Sequence, residues 1–223
     1  MGFDPEEINR AFLRRNGIDP DAVGKSQSAG AAQKAGGRFE SDICAENAAL
    51  EAARRAIVFK VPTPVRIHKV NKRTGRLTAS KAPAVWVDYS GTVYLDGFGQ
   101  SVHFEAKSST IQTRIPFAQI ADHQLEKLRR ATEFGAWCFL LARRCDEQTK
   151  RPLADYVLPV ASDGRIANHA HKRALDGAAE HARGVRESVA VPTAEKLGLV
   201  VGVDETWLDA VMRLRSAQPR LWI

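Results

Sequence analysis

The chain has 223 residues, of which 44% are hydrophobic and 26% are charged, a composition typical of a soluble globular protein with a substantial core. Its net charge of +7 favours a polyanionic partner, with nucleic acid first, although charge alone fits a merely basic protein equally well. No apolar run approaches the roughly 18 residues that a membrane-spanning helix needs, so the sequence predicts no membrane partner.

The three cysteines are Cys44, Cys138 and Cys145, and none has the spacing of a metal-ligand pair. Cys138 lies within the apolar run 137–141, which predicts a small buried hydrophobic side chain rather than a reactive thiol. An odd number of cysteines without a signal peptide predicts a cytoplasmic protein in a reducing compartment.

The first elements in chain order are a helix, a flexible segment and a second helix. Residues 1–16 predict a short helix with Asp4 as its cap and Pro5 in its first turn. Residues 24–37 are rich in Gly, Ala, Ser, Gln and Lys, which is typical of a flexible basic arm. From residue 38 to residue 55 the apolar positions recur at helical spacing.

Strand-like segments follow this helix. Residues 56–61 and 65–68 predict two strands that are separated by a Pro-Thr-Pro break. The basic segment 69–76 carries a Thr-Gly turn signal and is either a hairpin tip that reaches towards DNA phosphates or a solvated loop. A three-strand meander is predicted next, at residues 85–88, 92–95 and 101–106, with residues 97–99 in its second connection.

The second half of the chain alternates helices with strands. Because helical and strand-like patterns share one chain without an internal repeat, the sequence predicts an α/β core built on one sheet. The predicted elements are a helix at 117–134 closed by Gly135, a buried strand at 137–142, a strand at 154–160, a helix at 169–187, a small apolar segment at 197–203 and a last helix from residue 204 or 205 through Leu214.

One pair of carboxylates and one lysine have the spacing of a metal-dependent phosphodiesterase. Asp88 is followed seventeen residues later by Glu105, with Lys107 two positions further. On a strand, Glu105 and Lys107 point to the same side, and two carboxylates from neighbouring strands provide hard oxygen ligands for Mg²⁺. The lysine then orients a water or offsets charge on the phosphate. This spacing alone is weakly specific, and Asp88 also suits a β-turn.

Several segments taken together are far more specific. Their order is Gly37-Arg38-Phe39-Glu40, Lys60-Val61-Pro62-Thr63-Pro64-Val65, Val87-Asp88-Tyr89-Ser90-Gly91, Phe104-Glu105-Ala106-Lys107-Ser108, Ile115-Pro116-Phe117 and His123-Gln124. This order resembles the RecU-type Holliday junction resolvases, which are members of the PD-(D/E)xK nuclease superfamily. The resemblance covers roughly residues 36–145 and does not extend to the last seventy or so residues.

The resemblance implies a restriction-endonuclease-like α/β core with a central mixed sheet flanked by helices. It also implies a homodimer, dependence on Mg²⁺ with Mn²⁺ as a substitute, and paired nicking of four-way DNA junctions. Carried over by position, Asp88 and Glu105 match the metal-binding carboxylates and Lys107 matches the lysine that stabilises the transition state. Gln124 matches a glutamine that contributes to the metal site, and Glu40 matches a helix-borne catalytic acid near the metal.

Some positions keep a simpler interpretation open. The family often has a threonine two residues before the aspartate, where this chain has Trp86, and this departure leaves the number of metal ions undecided. Trp86 is expected to pack under the sheet rather than stack near an opened base. Glu40 also suits a first-turn acid that is favourable to the helix dipole, and His123 suits a structural histidine.

The basic side chains near these segments are candidate DNA contacts. We prefer this interpretation because cations beside a metal site are well placed to hold phosphates, and binding of that kind weakens steeply with salt. The pairs Arg129-Arg130 and Arg143-Arg144 fit solvated faces as well as they fit binding patches, so their role stays open. The predicted DNA-binding residues are Arg38, Lys60, Thr63, Arg66, Lys69, Lys72, Arg73 and Arg76.

The predicted organisation is an N-terminal helix and flexible arm (1–37), a nuclease core (38–164) and a C-terminal helical extension of undecided role (165–223). The predicted function is a metal-dependent, structure-selective endonuclease that resolves Holliday junctions as a dimer, without a nucleotide cofactor. The alternatives are a related endonuclease that cuts flaps or acts like a restriction enzyme, and a non-catalytic DNA-binding recombination module.

Overall fold

The computed structural model describes residues 30–62, 64–70, 73–74, 77–81, 86–117, 120–162, 166 and 188–222. The helices predicted at 1–16 and 169–187 lie outside these residues. In chain order the elements are α1 (Gly30–Ala52), β1 (Ala56–Lys60), β2 (Val65–Val70), β3 (Leu77–Lys81), β4 (Tyr89–Leu95), β5 (Phe98–Ser109), β6 (Arg114–Pro116), α2 (Asp122–Glu133), β7 (Trp137–Cys145), β8 (Pro152–Pro159), β9 (Ser188–Ala190), α3 (Val191–Lys196), α4 (Trp207–Ala217) and a 3₁₀ helix (Pro219–Trp222).

The chain divides into two compact units. The smaller comprises Met1–Gln33 and Pro62–Val85, and the larger comprises Lys34–Val61 and Trp86–Ile223. Within the smaller unit, β2 and β3 pair antiparallel as a two-stranded sheet. The basic segment 69–76 therefore connects two paired strands, as predicted for a hairpin.

The larger unit is organised around a five-stranded mixed sheet of order β1-β4-β5-β7-β8. Only β5 and β7 pair in parallel, since the chain passes through β6 and α2 between them, and the other neighbours are antiparallel. Helix α2 packs against β5 and β7. This arrangement confirms the predicted α/β fold with a central mixed sheet flanked by helices.

An aromatic cluster fills the opposite face of the sheet. Phe104 of β5 stacks between Tyr89 and Phe139, with ring centroids 4.8 Å apart in both pairs. Trp207 of α4 tilts onto Phe104 at 5.2 Å, and its indole N–H donates to the buried side-chain oxygen of Asn47 in α1 at 3.0 Å. Because burial of such rings dominates core energetics, α1 and α4 are held on this face by the same cluster.

The C-terminal residues 188–222 belong to this packing. Strand β9 pairs with β6, and the backbone around Leu199 continues the sheet because Val157 N–H donates to the Leu199 carbonyl at 2.9 Å. Leu214 and Trp222 are buried in the same core. The boundary at residue 165 stays a prediction, while the described part of the extension covers the core.

The predicted meander is confirmed for its second and third strands, which pair antiparallel as β4 and β5, and is wrong for its first strand. Residues 86–88 are not in a strand, and β4 begins only at Tyr89. The turn consists of Asp96 and Gly97, whose φ angles are +39° and +105°. Asp-Gly is a strong signal for a two-residue hairpin turn, since both positions require positive φ, and this makes Phe98 the first residue of β5 rather than a connection.

Helix boundaries differ from prediction in three places. α1 starts at Gly30 rather than residue 38, because the Ala-rich segment assigned to a flexible arm contains good helix formers. α2 starts at Asp122 rather than residue 117, because Ala121 is still extended, with φ −72° and ψ 144°. α4 starts at Trp207, where the Thr206 hydroxyl caps the helix by accepting from the backbone N–H of Asp209 at 3.1 Å. No helix among the described residues is long and apolar enough to cross a membrane.

Candidate active site

Glu105 is the centre of the candidate site and is fully buried on β5. Its Oε2 accepts a hydrogen bond from the backbone N–H of Asp88 at 3.1 Å. Its Oε1 accepts from the Lys107 ammonium at 2.5 Å and from the side-chain amide of Gln124. Both carboxylate oxygens are therefore held, by donors from the segment before β4, from β5 itself and from α2, which fixes the orientation of the side chain.

Asp88 lies immediately before β4, at the position where β1 ends. The backbone carbonyl of Asp88 accepts from Val61 N–H at 2.8 Å, which anchors this residue beside the sheet. Its Oδ2 accepts from the backbone N–H of Ala106 at 3.3 Å and lies 3.7 Å from the Lys107 ammonium. About a third of the Asp88 side chain is exposed, whereas Glu105 is closed to solvent, so Asp88 forms the accessible side of the site.

Lys107 faces the same side of β5 as Glu105, as strand alternation predicts. Burial alone would lower its pKa, but the Glu105 and Asp88 carboxylates outweigh burial and raise the pKa of Lys107. The lysine is consequently a fixed cation between two carboxylates. Its side chain is 28% exposed, so the ammonium is within reach of a ligand that approaches from solvent.

The charge on Glu105 is only partly compensated. Burial first, and repulsion from Asp88 second, raise the pKa of Glu105 to about 7 against the opposing effect of Lys107. Two carboxylates that share one site disfavour each other's ionisation, and a single lysine does not remove that cost. With one ammonium between two carboxylates, the site has an excess of negative charge when both carboxylates are ionised.

Gln124 approaches from the first turn of α2. Its side-chain oxygen accepts from the backbone N–H of Ala121 at 3.1 Å, at the start of the helix, so the amide nitrogen is directed at Glu105. In this arrangement Gln124 orients Glu105 by donating a hydrogen bond to its carboxylate. Its predicted contribution to a metal site is thus an indirect one in this geometry, through the orientation of Glu105.

The donor set fits a hard divalent cation. Mg²⁺ binds through one or two carboxylates and keeps several waters, and Asp88 and Glu105 supply two carboxylates of which one faces solvent. Within the described residues, no group of three or more His, Cys, Asp and Glu side chains is placed to hold a metal.

Comparison with known families agrees with this geometry. The family model of recombination protein U, RecU, matches residues 34–150, just over half of the chain. The chain belongs to the RecU family. The matched residues include Asp88, Glu105, Lys107 and Gln124, whereas α3 and α4 lie outside the match.

Curated RecU relatives match about half of the chain. The protein named Holliday junction resolvase RecU from Shouchella clausii is 37% identical over 109 residues, which are 47% of this chain and 51% of the relative. Proteins of the same name from Streptococcus equi subsp. equi and Levilactobacillus brevis are 34% and 32% identical, over 46% and 49% of this chain and 51% and 55% of their own lengths. The chain spans about half the length of the curated relatives it matches.

Glu40 and Lys60, two further residues predicted for the RecU site, bind each other. The Lys60 ammonium lies 2.5 Å from a Glu40 carboxylate oxygen, and both side chains are exposed. Lys60 is the last residue of β1 and pairs with Tyr89, so this ion pair lies next to Asp88 along the sheet. The structure therefore pairs Glu40 with Lys60 rather than with the carboxylates and lysine of the site, and its catalytic role stays a prediction.

The remaining predicted DNA contacts are spread over the two units. Arg38 is exposed on α1 of the larger unit, while Arg66, Lys69 and Arg73 are exposed in the hairpin of the smaller unit. Each is accessible to a ligand, and their DNA contacts stay predictions. Thr63, Lys72 and Arg76 lie outside the described residues.

Trp86 packs against the sheet, next to the site. Its ring meets His103 of β5 edge to face, with centroids 5.3 Å apart. His103 is held by the hydroxyls of Ser90 and Ser101 at 2.9 and 3.0 Å, and burial lowers its pKa. The Trp86 side chain is 37% exposed, so it packs on the surface of the sheet rather than under it, and an indole supplies no metal ligand.

Sequence reasoning missed one set of residues beside the RecU site. Ser109, Arg114 and Arg144 line a depression together with Lys107. Strand alternation from Lys107 was a signal for Ser109, because the two residues are two positions apart on β5. The sequence left the Arg143-Arg144 pair open between a solvated face and a binding patch, and only the pairing of β5 with β7 places Arg144 here. Arg114 reaches the depression through the position of β6 and had no signal in the linear sequence.

Proposed function

We propose that this chain is a metal-dependent, structure-selective DNA endonuclease that resolves Holliday junctions by paired symmetric nicks. The observation that carries the proposal is the convergence of Asp88, Glu105 and Lys107, which are distant in sequence and meet at one partly exposed point. A protein that only binds DNA has no need of two closely spaced carboxylates, which repel phosphates. The RecU relatives named as Holliday junction resolvases support the choice of substrate.

Asp88 and Glu105 would hold Mg²⁺, for which Mn²⁺ is expected to substitute. When bound, such an ion polarises phosphoryl oxygens and lowers the pKa of a coordinated water. The cation would also offset the charge of two carboxylates that share a single ammonium. Gln124 and the backbone N–H of Asp88 keep the Glu105 carboxylate oriented towards the site.

Lys107 has the role of a fixed cation at the phosphate. Its ammonium is a compact charge with three donors, and its partial exposure permits a contact with a phosphoryl oxygen. Because the ammonium is already held by Glu105 and Asp88, little reorganisation is needed as negative charge develops in the transition state. Removal of this one group should therefore lower the rate far more than the affinity for DNA.

The proposal includes a homodimer, since two identical sites related by a two-fold axis match the two symmetric strands of a junction. The sheet surface over β1 and β4 offers apolar area for such an interface, because Ile57, Phe59 and Tyr94 are 61%, 59% and 62% exposed there. Monomers rarely expose neighbouring large apolar side chains without a partner. Sedimentation velocity across a protein concentration series tests the dimer directly.

The decisive experiment compares a labelled four-way junction with linear duplex of the same sequence. Wild-type protein and Lys107→Ala are incubated with each substrate, with and without Mg²⁺, and the products are mapped on both strands. We expect paired symmetric nicks from wild type with Mg²⁺, no cutting of the duplex, and loss of cleavage with retained junction binding in Lys107→Ala. Asp88→Asn and Glu105→Gln should behave in the same way.

Two outcomes would redirect the proposal. Cleavage of flaps or linear duplex in preference to the junction would identify a different nuclease with the same core. Junction binding without cleavage in either Mg²⁺ or Mn²⁺ would identify a non-catalytic recombination module. Wild-type cleavage rates in Glu105→Gln would refute the assignment of the site itself.

A further inference from the structure

A second cationic position lies beside the candidate site, on the same face of the sheet. Lys107 and Ser109 are two residues apart on β5, and Ser109 pairs with Arg144 on the parallel strand β7. Paired residues of neighbouring strands share a face, so Arg144 lies one two-residue repeat, roughly 6–7 Å, further along the sheet than Lys107. Arg114 of β6 closes the same depression.

Arg144 carries a charge that no carboxylate neutralises within the described residues. Its Nη1 donates to the backbone carbonyl of Gln112 at 2.9 Å, and its guanidinium lies 6.0 Å from the centre of the Tyr156 ring. The Nε of Arg144 is buried and has no hydrogen-bond partner in the part of the chain that the structure describes. The side chain as a whole is only partly buried and lines the depression, so its uncompensated charge is within reach of an anion there.

The adjacent arginine shows the opposite behaviour and provides an internal comparison. Arg143 donates to both carboxylate oxygens of Asp155 at 2.8 and 2.7 Å and also binds Asp42. Its guanidinium lies 4.3 Å over the Phe39 ring, so this residue connects α1 to the sheet. Arg143 is therefore a structural cation with its charge compensated, and Arg144 is not.

Arg114 supplies a second uncompensated cation. It is exposed on β6, and it forms no ion pair with any residue that the structure describes. Its backbone position is fixed because β6 pairs with β9, with Arg114 opposite Ala190. A guanidinium on a fixed strand, next to a second one and to a serine hydroxyl, suits a tetrahedral anion that accepts several hydrogen bonds.

We propose that Arg114 and Arg144, with Ser109, form a binding subsite for a backbone phosphate of DNA, next to the phosphate that Lys107 contacts. The subsite rests on the proposed nuclease function, since it takes the neighbouring phosphate of the same strand. By holding that phosphate, it sets which phosphodiester lies at Asp88 and Glu105. Phosphate contacts of this kind position a nucleic acid without reading its sequence.

The test uses the full chain and a fluorescent four-way junction, with EDTA present so that binding is measured without cleavage. Anisotropy titrations at several salt concentrations compare wild type with Arg114→Ala, Arg144→Ala and Arg144→Lys. Arg220→Ala is the matched control, because Arg220 is an exposed arginine on the C-terminal 3₁₀ helix. Thermal unfolding of each variant identifies any loss of fold.

We expect Arg114→Ala and Arg144→Ala each to weaken junction binding about 3- to 10-fold at low salt, with the salt slope reduced by about 1 per variant. Arg144→Lys should recover part of the affinity, since it keeps the charge but not the fork. The control should bind as wild type does. With Mg²⁺, the two alanine variants should still cut at saturating protein but at less uniform positions, because the neighbouring phosphate is no longer held.

The inference and the proposed function fail in different ways. If wild type cleaves the junction while Arg114→Ala and Arg144→Ala keep its affinity, salt slope and cut positions, the subsite is wrong and the nuclease proposal stands. If wild type binds no junction, both are overturned. Should Arg144→Ala unfold, Arg114→Ala and Arg144→Lys decide the question, since the first changes an exposed side chain and the second preserves the charge.

Discussion

Replacing Glu46 with Gln tests how the C-terminal segment is attached to the RecU core. Glu46 is on α1, and its carboxylate accepts the backbone N–H of Trp207, the first residue of α4. The pKa of Glu46 is raised to about 7, mainly by burial. The Trp207 hydrogen bond lowers this pKa, the charges of Asp155 and Asp209 raise it, and the charge of Arg143 lowers it. The folded protein therefore holds an acid whose charged form it disfavours.

The expected magnitude follows from proton linkage. The pKa of Glu46 is higher in the folded protein than its ordinary value of 4.5, so the folded state binds more protons between about pH 4.5 and 7. The free energy of unfolding consequently falls as pH rises through this window. A shift of this size has an upper limit of about 3 kcal/mol, and we expect about 1–2 kcal/mol because solvent partly reaches the carboxyl group.

Glutamine keeps an oxygen that accepts the Trp207 N–H but has no charge to bury. We therefore expect Glu46→Gln to raise the melting temperature by about 2–6 °C at pH 8 and by much less at pH 5. Differential scanning calorimetry at both pH values measures this, with Glu51→Gln as control, since Glu51 is an exposed acid of the same helix. An equal gain at both pH values, or a loss at pH 8, would refute the reasoning.

Two further changes test the site and the sheet. Gln124→Ala removes a hydrogen-bond donor from Glu105. We expect it to lower the rate of junction cleavage by about 10- to 100-fold and to weaken Mn²⁺ binding, measured by calorimetric titration. An unchanged cleavage rate together with unchanged Mn²⁺ affinity would show that Gln124 does not orient Glu105. Gly91→Ala would place its Cβ 2.1 Å from the Ile57 carbonyl oxygen and should cost at least about 3 kcal/mol in urea unfolding. A Gly91→Ala variant as stable as wild type would contradict the β1–β4 pairing. Gly36→Ala is a third substitution, in α1, and has nothing within 4 Å of the added Cβ. It should raise the free energy of unfolding by up to about 1 kcal/mol, because alanine favours a helix more than glycine does.

The fold was predictable where local pattern and tertiary demand agree. The continuous apolar run at 137–142 gave the strand that is buried on both faces, because such a run leaves no polar face for solvent. The error at residues 86–88 arose because the carbonyl of Asp88 accepts from Val61, just beyond β1, and its side chain turns to β5, an arrangement that depends on neighbours in space. Strand β6 was missed because it requires β9 from a distant part of the chain.

The candidate site likewise has features that the sequence predicted and features that only the structure shows. Alternation on β5 placed Glu105 and Lys107 on one side, and the prediction that Asp88 meets them agrees with the contacts in the structure. Nothing in the order of residues indicated that Gln124 would face Glu105 with its amide nitrogen, or that Glu40 would bind Lys60. Those contacts depend on which hydrogen-bond donors and acceptors still need a partner once the helices and strands have packed.

From the sequence alone, two carboxylates and a lysine were predicted to act together, because carboxylate and ammonium groups keep their character in any fold and strand alternation is a local property. Only the tertiary structure decided which of two adjacent arginines meets carboxylates. Arg143 meets Asp42, which is 101 residues away, while Arg144 meets a backbone carbonyl. Charge compensation is a matter of distance in space, and a linear sequence does not contain that distance.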